Sequence, residues 1–146
     1  MPERGQQVMK MIKITTGNQI SVHDFPDGSI SEQTKLLCKY IGPECELVEH
    51  VMPKRLYTEL NAPRKRGNCV SMLVDEDGYY HELSPNIIGS WLYETDIHGY
   101  PILGNILIVG EQWINEGISF CGLTEEQFSL LFPQLRNLTE KARKNG

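Results

Sequence analysis

The run Ile102-Leu103-Gly104-Asn105-Ile106-Leu107-Ile108-Val109-Gly110 constrains this chain more than any other stretch. Apart from its Gly-Asn interruption it is the longest apolar run in the sequence. Its length suits a strand better than a helix, and its Ile and Val content points the same way. It does not alternate with polar residues, so it is expected to be buried on both faces, with Ile106 and Ile108 in the core. Gly110 is expected to end it. The rest of the chain must pack around it.

Shorter elements can be read on either side. Met11-Ile12-Lys13-Ile14, the turn Gly17-Asn18 and the alternating Ile20-Ser21-Val22-His23 predict a β-hairpin. Ser29 with Glu32 is a capping box, so a helix starts there with Leu36, Leu37, Tyr40 and Ile41 as its stripe, and Gly42-Pro43 stops it. Cys45 to Met52 reads as a third strand. Pro53 to Asn68 is ambiguous: Leu56, Tyr57 and Leu60 suit one helical turn, while the composition fits a mobile basic surface loop; Cys69 to Val74 reads as a fourth strand. Asp75-Glu76-Asp77-Gly78 is a turn from which Tyr79 to Leu83 is expected to return as a fifth strand. Ser84-Pro85 is read as N-cap and first turn of a helix that offers Ile87, Ile88, Trp91 and Leu92 to the core. Residues Ile114 to Phe120 show no clear pattern. Thr124 with Gln127 repeats the capping box and opens a final helix, which Pro133 is expected to kink or restart.

The element order, hairpin strands with helices between them, predicts an α+β fold. We expect a mainly antiparallel sheet of about five or six strands covered by two or three helices. At 146 residues the chain has room for one domain with a real core. We divide it into a frayed N-terminus (1–10), an α+β domain (11–123) and a C-terminal helical segment (124–146). No run approaches the ~20 apolar residues of a membrane span. The first residues also lack the apolar core of a signal peptide, so no membrane role and a cytoplasmic location are expected.

Net charge is −5, unevenly placed. Between Pro53 and Asn68 stand Lys54, Arg55, Arg64, Lys65 and Arg66 against Glu59 alone, while Asp75 to Glu82 is acidic. An acidic chain with one basic segment is a poor general nucleic-acid binder. That segment suits a small anion. Arg64, Lys65 and Arg66 would pair with phosphate, Tyr79, Tyr80, Trp91 and Tyr93 would stack on a base, and the helix opened by Ser84 would add backbone donors. These residues form the expected ligand site.

The other constellations carry less. The four cysteines include no C-x-x-C pair and read as reduced, mostly buried thiols. No histidine stands at metal-ligand spacing from another, and no metal or cofactor is expected. Asp75-x-Asp77-Gly78 invites a calcium reading, but Ser84 stands where such a loop needs its closing glutamate. No nucleophile–base grouping can be named. Of the four histidines, His81 and His98 flank one helix and are the better candidates for a base.

The opening hairpin, the acidic turn with Asp77-Gly78, Leu83-Ser84-Pro85-Asn86, and Gly104-Asn105 leading to Ile108-Val109-Gly110 give a resemblance. Over residues 11 to 110 the chain resembles a family of small domains of unknown function from phage and conjugative elements of gut bacteria. The basic segment before Cys69 and the tail after Gly110 depart from that pattern. The resemblance implies a mobile-element accessory protein with an anti-defence role, and it brings no catalytic residues.

The expected function is therefore non-enzymatic binding, either of a small anionic, nucleotide-like ligand or of a host defence protein. The alternatives are an enzyme acting on a nucleotide-like substrate with a His or Asp base, and a structural domain without a ligand. Phe128, Leu131, Leu135 and Leu138 recur at a/d spacing, which predicts a homodimer seam in competition with folding back onto the sheet.

Overall fold

The computed structural model describes residues 9–64, 68–114 and 117–145. The expected fraying falls on residues 1–8, which lie outside them, and on Met9 and Lys10. Met9 is exposed, and Lys10 already belongs to the first strand. The described residues form β1 (Lys10–Ile14), β2 (Ile20–Asp24), α1 (Ile30–Ile41), β3 (Val48–Val51), α2 (Lys54–Thr58) and β4 (Asn68–Asp75). They continue with α3 (Ile87–Leu92), α4 (Thr95–His98), β5 (Ile106–Ile114), β6 (Gly117–Cys121) and α5 (Glu125–Asn145). The fold is α+β, with one six-stranded antiparallel sheet in the order β2-β1-β5-β4-β3 and β6 also on β5.

β5 is the centre. Ile12, Ile108 and Met72 are neighbours across three strands, and all three are fully buried. One face of the sheet carries Ile12, Ile14, Met72, Val74, Ile106 and Ile108 against α2, α3 and α5. The other face carries Met11, Leu73, Leu107 and Val109 against Leu37 and Ile41 of α1, with Phe25 beside them. This two-sided burial is the reason the run does not alternate. Gly110 does not end the strand. β5 continues to Ile114 and turns into β6, so the unpatterned stretch after Gly110 is half of a hairpin. The glycine serves close approach instead. β1 and β6 share one edge of β5, and a Cβ on Gly110 would stand 2.5 Å from the Gly122 carbonyl oxygen, where β6 gives way to a bridge with Lys10.

Local chemistry explains most boundaries. Ser29 and Glu32 bond each other's backbone N–H, as the capping box requires, and Thr124 with Gln127 does the same for α5. The α1 stripe holds at Leu37 and Ile41, but Leu36 faces out. The third strand is only Val48–Val51, because β4 pairs it from Met72 to Asp75 and no further. Beyond that point the Val70 backbone would lack a partner. Tyr57 supplies one, its hydroxyl accepting from Val70 N at 2.6 Å and donating to Val70 O at 2.8 Å. Of the two readings of this segment, the helical turn at Leu56 and Tyr57 is therefore present as α2, anchored by buried Leu56.

Two further expectations fail around the turn after β4. Tyr79 to Leu83 is not a strand. Consecutive turn bonds, His81 N to Asp77 O and Leu83 N to Gly78 O, fold it on itself. Nor is Ser84 the N-cap. Pro85 forms a bridge with Leu103, and Asn86 caps α3 by accepting from Gly89 N at 2.8 Å. Asn86 is fully buried and its amide also donates to the Ile14 and Gly104 carbonyls. A hydroxyl has no second donor with which to do that. Asn105 works similarly, accepting from Thr16 N and donating to Ile41 O at the end of α1.

α5 runs through Pro133 without a break. Pro133 and Ser129, whose carbonyl the proline leaves unpaired, are both on the exposed side, where water can satisfy that oxygen. Leu131 and Leu135 are fully buried against the sheet, with Phe128 and Leu138 half-buried beside them. The a/d seam is thus occupied inside the chain, and Leu131 and Leu135 are not available as a dimer contact. Among the described residues no helix is long and apolar enough to cross a membrane.

Candidate functional site

β4 delivers Asp75 to the sheet end, and the following turn throws Tyr79 and Tyr80 into solvent at 88% and 84% exposure. The loop after α4 brings Tyr100 up beside them, 71% exposed. Between the turn and the loop lies a cleft of about 260 Å3. Tyr79, Tyr93 and Tyr100 wall it, Val51, Val74 and Ile102 lie at its base, and Glu49 and Glu76 are exposed at its rim. Strand alternation sets part of this arrangement, since Glu49, Val51 and Val74 share one side of the sheet, and Glu76 opens the turn that follows β4. His98 holds the aromatic wall together. Its ring lies 4.7 Å from Tyr93 and 5.5 Å from Tyr100. Tyr100 N donates to its Nδ1, which leaves Nε2–H to donate to the Tyr93 carbonyl at 2.7 Å.

Charge in the cleft is negative. The nearby cations are already paired: Lys54 lies 3.9 Å from Glu94, and Arg55 forks onto Asp96 at 2.6 and 2.9 Å. That fork lifts the Arg55 pKa and holds the Asp96 carboxyl below its usual value. Among the described residues no ion pair involves Glu49 or Glu76. Asp75, buried at the cleft's edge, accepts from Asp77 N and meets His81 Nδ1 at 2.9 Å. The hydrogen bond to Asp75 raises the His81 pKa, burial opposes it, and the charges of Asp75, Asp77 and Glu46 add to the rise.

The residues expected to form one ligand site are split. Tyr79 and Tyr93 meet in the cleft, and Tyr80 stands beside it against the His81 ring at 6.2 Å. Trp91 is on another flank, under the Arg55 guanidinium at 5.3 Å. Arg64 stacks 4.7 Å over Tyr57, whose hydroxyl marks Val70. Val70 and Asp75 are five strand positions apart on β4, roughly 17 Å. Lys65 and Arg66 lie outside the described residues. The helix opened at Asn86 has only six residues, and its Gly89 N–H is taken by the Asn86 side chain. The described residues therefore assemble no phosphate site from the tyrosines and the basic segment. Sequence spacing missed Tyr100 and Glu49. An aromatic between Gly99 and Pro101, in a loop, was the available signal for the first.

Pairing also joins Ser71, His50 and Glu111, which are far apart in sequence. His50 Nε2 lies 2.9 Å from Ser71 Oγ and 3.3 Å from Glu111 Oε1, and Ser71 donates to that same carboxylate in a short contact. Phe120 packs its ring 5.4 Å from His50. The set has the residue types of a hydrolytic triad without its geometry. Serine and carboxylate share one ring nitrogen, and Ser71 is fully buried and already donating. It is a structural polar cluster on the face that α1 leaves partly open.

None of the four cysteines is in a disulfide; Cys38 is buried and the others are half-buried. Burial pushes the Cys45 thiol up, aided by contact with Cys38 and the Asp75 charge, and it pushes Cys121 up as well. Neither is an activated nucleophile. Among the described residues no three His, Cys, Asp or Glu side chains converge to hold a metal ion. Comparison with family models, with curated proteins and with solved structures finds no match to this chain.

Proposed function

We propose that this protein is a non-enzymatic binding protein whose contact surface is the tyrosine-walled cleft at the end of β4. The observation that carries this reading is the exposure of Tyr79, Tyr80 and Tyr100 around one concave site. Large aromatic rings left in solvent do nothing for the core. They are the side chains that dominate contact energy at protein interfaces, because they offer area at little entropic cost. The resemblance to phage and conjugative-element domains supplies the setting, docking on a host protein. An anionic ligand suits this cleft poorly, since Glu49 and Glu76 rim it.

The test compares wild type with the Tyr79→Ala/Tyr100→Ala double variant, each immobilised and exposed to a bacterial lysate. Retained material is identified by mass spectrometry before and after incubation. Wild type should hold a species that the variant loses, and that species should stay chemically unchanged. Equal retention by the variant removes the cleft from the function. Chemical conversion favours the second reading, an enzyme with His81 as base, for which the Asp75-held imidazole is the supporting observation. In that case His81→Gln should abolish conversion and leave retention intact.

A further inference from the structure

We infer that the cleft recognises a positively charged side chain, the ammonium of lysine or the guanidinium of arginine, presented by a basic segment of a partner protein. This rests on the binding reading above and names its chemistry. Three tyrosines and two exposed carboxylates converge on one concavity. The face of an aromatic ring is electrostatically negative and attracts cations, most strongly where water is partly excluded. Glu49 and Glu76 add charge of the same sign, so a cation gains from ring and rim together. An anion would be repelled by both, and a neutral apolar group would leave the carboxylates unused. Asp75 contributes less, because His81 and the turn already hold its oxygens.

Size selects the way the cation arrives. About 260 Å3 is below the range of ~300–1,000 Å3 typical of pockets that enclose a whole small ligand. It has room for one side-chain head. Tyr79, Tyr80 and Tyr100 reach beyond the cleft and would cover the chain on either side of that head. The protein uses the same contact internally, with Arg55 over Trp91, Arg64 over Tyr57 and Arg136 over Phe132 at 4.7 to 5.7 Å. Among the described residues no lysine or arginine lines the tyrosine cleft. An arginine or lysine from outside would complete there what the chain completes for itself elsewhere.

The experiment titrates the isotope-labelled full chain with a short Gly/Ser peptide bearing spaced lysines and arginines, followed by NMR. The same peptide with norleucine, and again with glutamate, at those positions provides the comparison. The basic peptide should shift amide signals of residues 76–79, 100, 102 and 103, weakening as salt is added. Glu49→Gln/Glu76→Gln, both at exposed positions that leave the fold intact, should weaken it at least tenfold. No binding of the basic peptide overturns the inference, as does unchanged binding by the Gln variant. Norleucine-peptide binding that equals the basic peptide's and disappears in Tyr100→Ala also overturns it, while leaving the cleft as the contact surface. Shifts that map away from the cleft overturn both.

Discussion

Residues 75 to 105 hold two regions that use polar and aromatic groups in opposite ways. Inside, fully buried Asn86 and half-buried Asn105 turn their amides toward backbone groups of Ile14, Gly104, Thr16, Ile41 and Gly89. Outside, Tyr79, Tyr80 and Tyr100 leave most of their ring area in water. The asparagines knit two connections to the sheet, and the tyrosines contribute almost nothing to holding it. Stability and the proposed recognition therefore fall to neighbouring but different side chains, and substitutions should separate them.

The separation gives an ordered set of expected effects. The largest belongs to the sheet under both regions. Ile108→Ala removes a fully buried side chain between Ile12 and Met72 and should cost about 2–5 kcal/mol by cavity formation. Chemical denaturation measures it, and an unmoved midpoint would displace β5 from the centre of the fold. Asn86→Ala comes next. It strands two carbonyls and an N–H in the interior, for about 2–3 kcal/mol. Thermal unfolding should show the loss, while peptide binding by the folded fraction stays as in wild type. If binding falls with no loss of stability, the division between the two regions is wrong.

A smaller effect depends on pH. His81 has a raised pKa in the folded protein, so its pairing with Asp75 stabilises fully below the ordinary histidine value of 6.5. That stabilisation is lost as pH climbs through the higher folded-state pKa. Wild type should therefore lose stability relative to His81→Gln across that rise, and parallel pH profiles for the two proteins would deny the pairing. The smallest effect on stability is at the tyrosines. Tyr79→Ala and Tyr100→Ala should each change it by less than about 0.5 kcal/mol, since both side chains are exposed. The same variants should lose capture by the cleft. A large drop in melting temperature would make these rings structural after all.

Local chemistry was readable without the fold. The capping boxes at Ser29 and Thr124, the Gly17-Asn18 hairpin and the buried Ile106 and Ile108 all depend on interactions within a few residues or on plain apolarity. Strand propensity in Tyr79–Leu83 has no effect because that stretch folds on itself through turn bonds instead of pairing. The cap falls on Asn86 and not Ser84 because the buried site needs an amide, and burial is not visible in a cap motif. The acidic turn and its tyrosines were legible as a cluster, but their partners were not. Glu49 reaches the cleft through the β3–β4 register and Tyr100 through the loop after α4.

Composition and periodicity by themselves determined the α+β class, the central strand and the starts of α1 and α5, since those follow from short-range hydrogen bonding and apolar burial. Only the tertiary structure decided which residues share a site. It separated Arg64 from Tyr79 along β4, folded the Leu131–Leu135 seam inward and brought Ser71, His50 and Glu111 together. The physical reason is that strand register and helix docking bring together residues distant in the chain. Those placements minimise the exposed apolar area of the whole molecule, a quantity that no local pattern encodes.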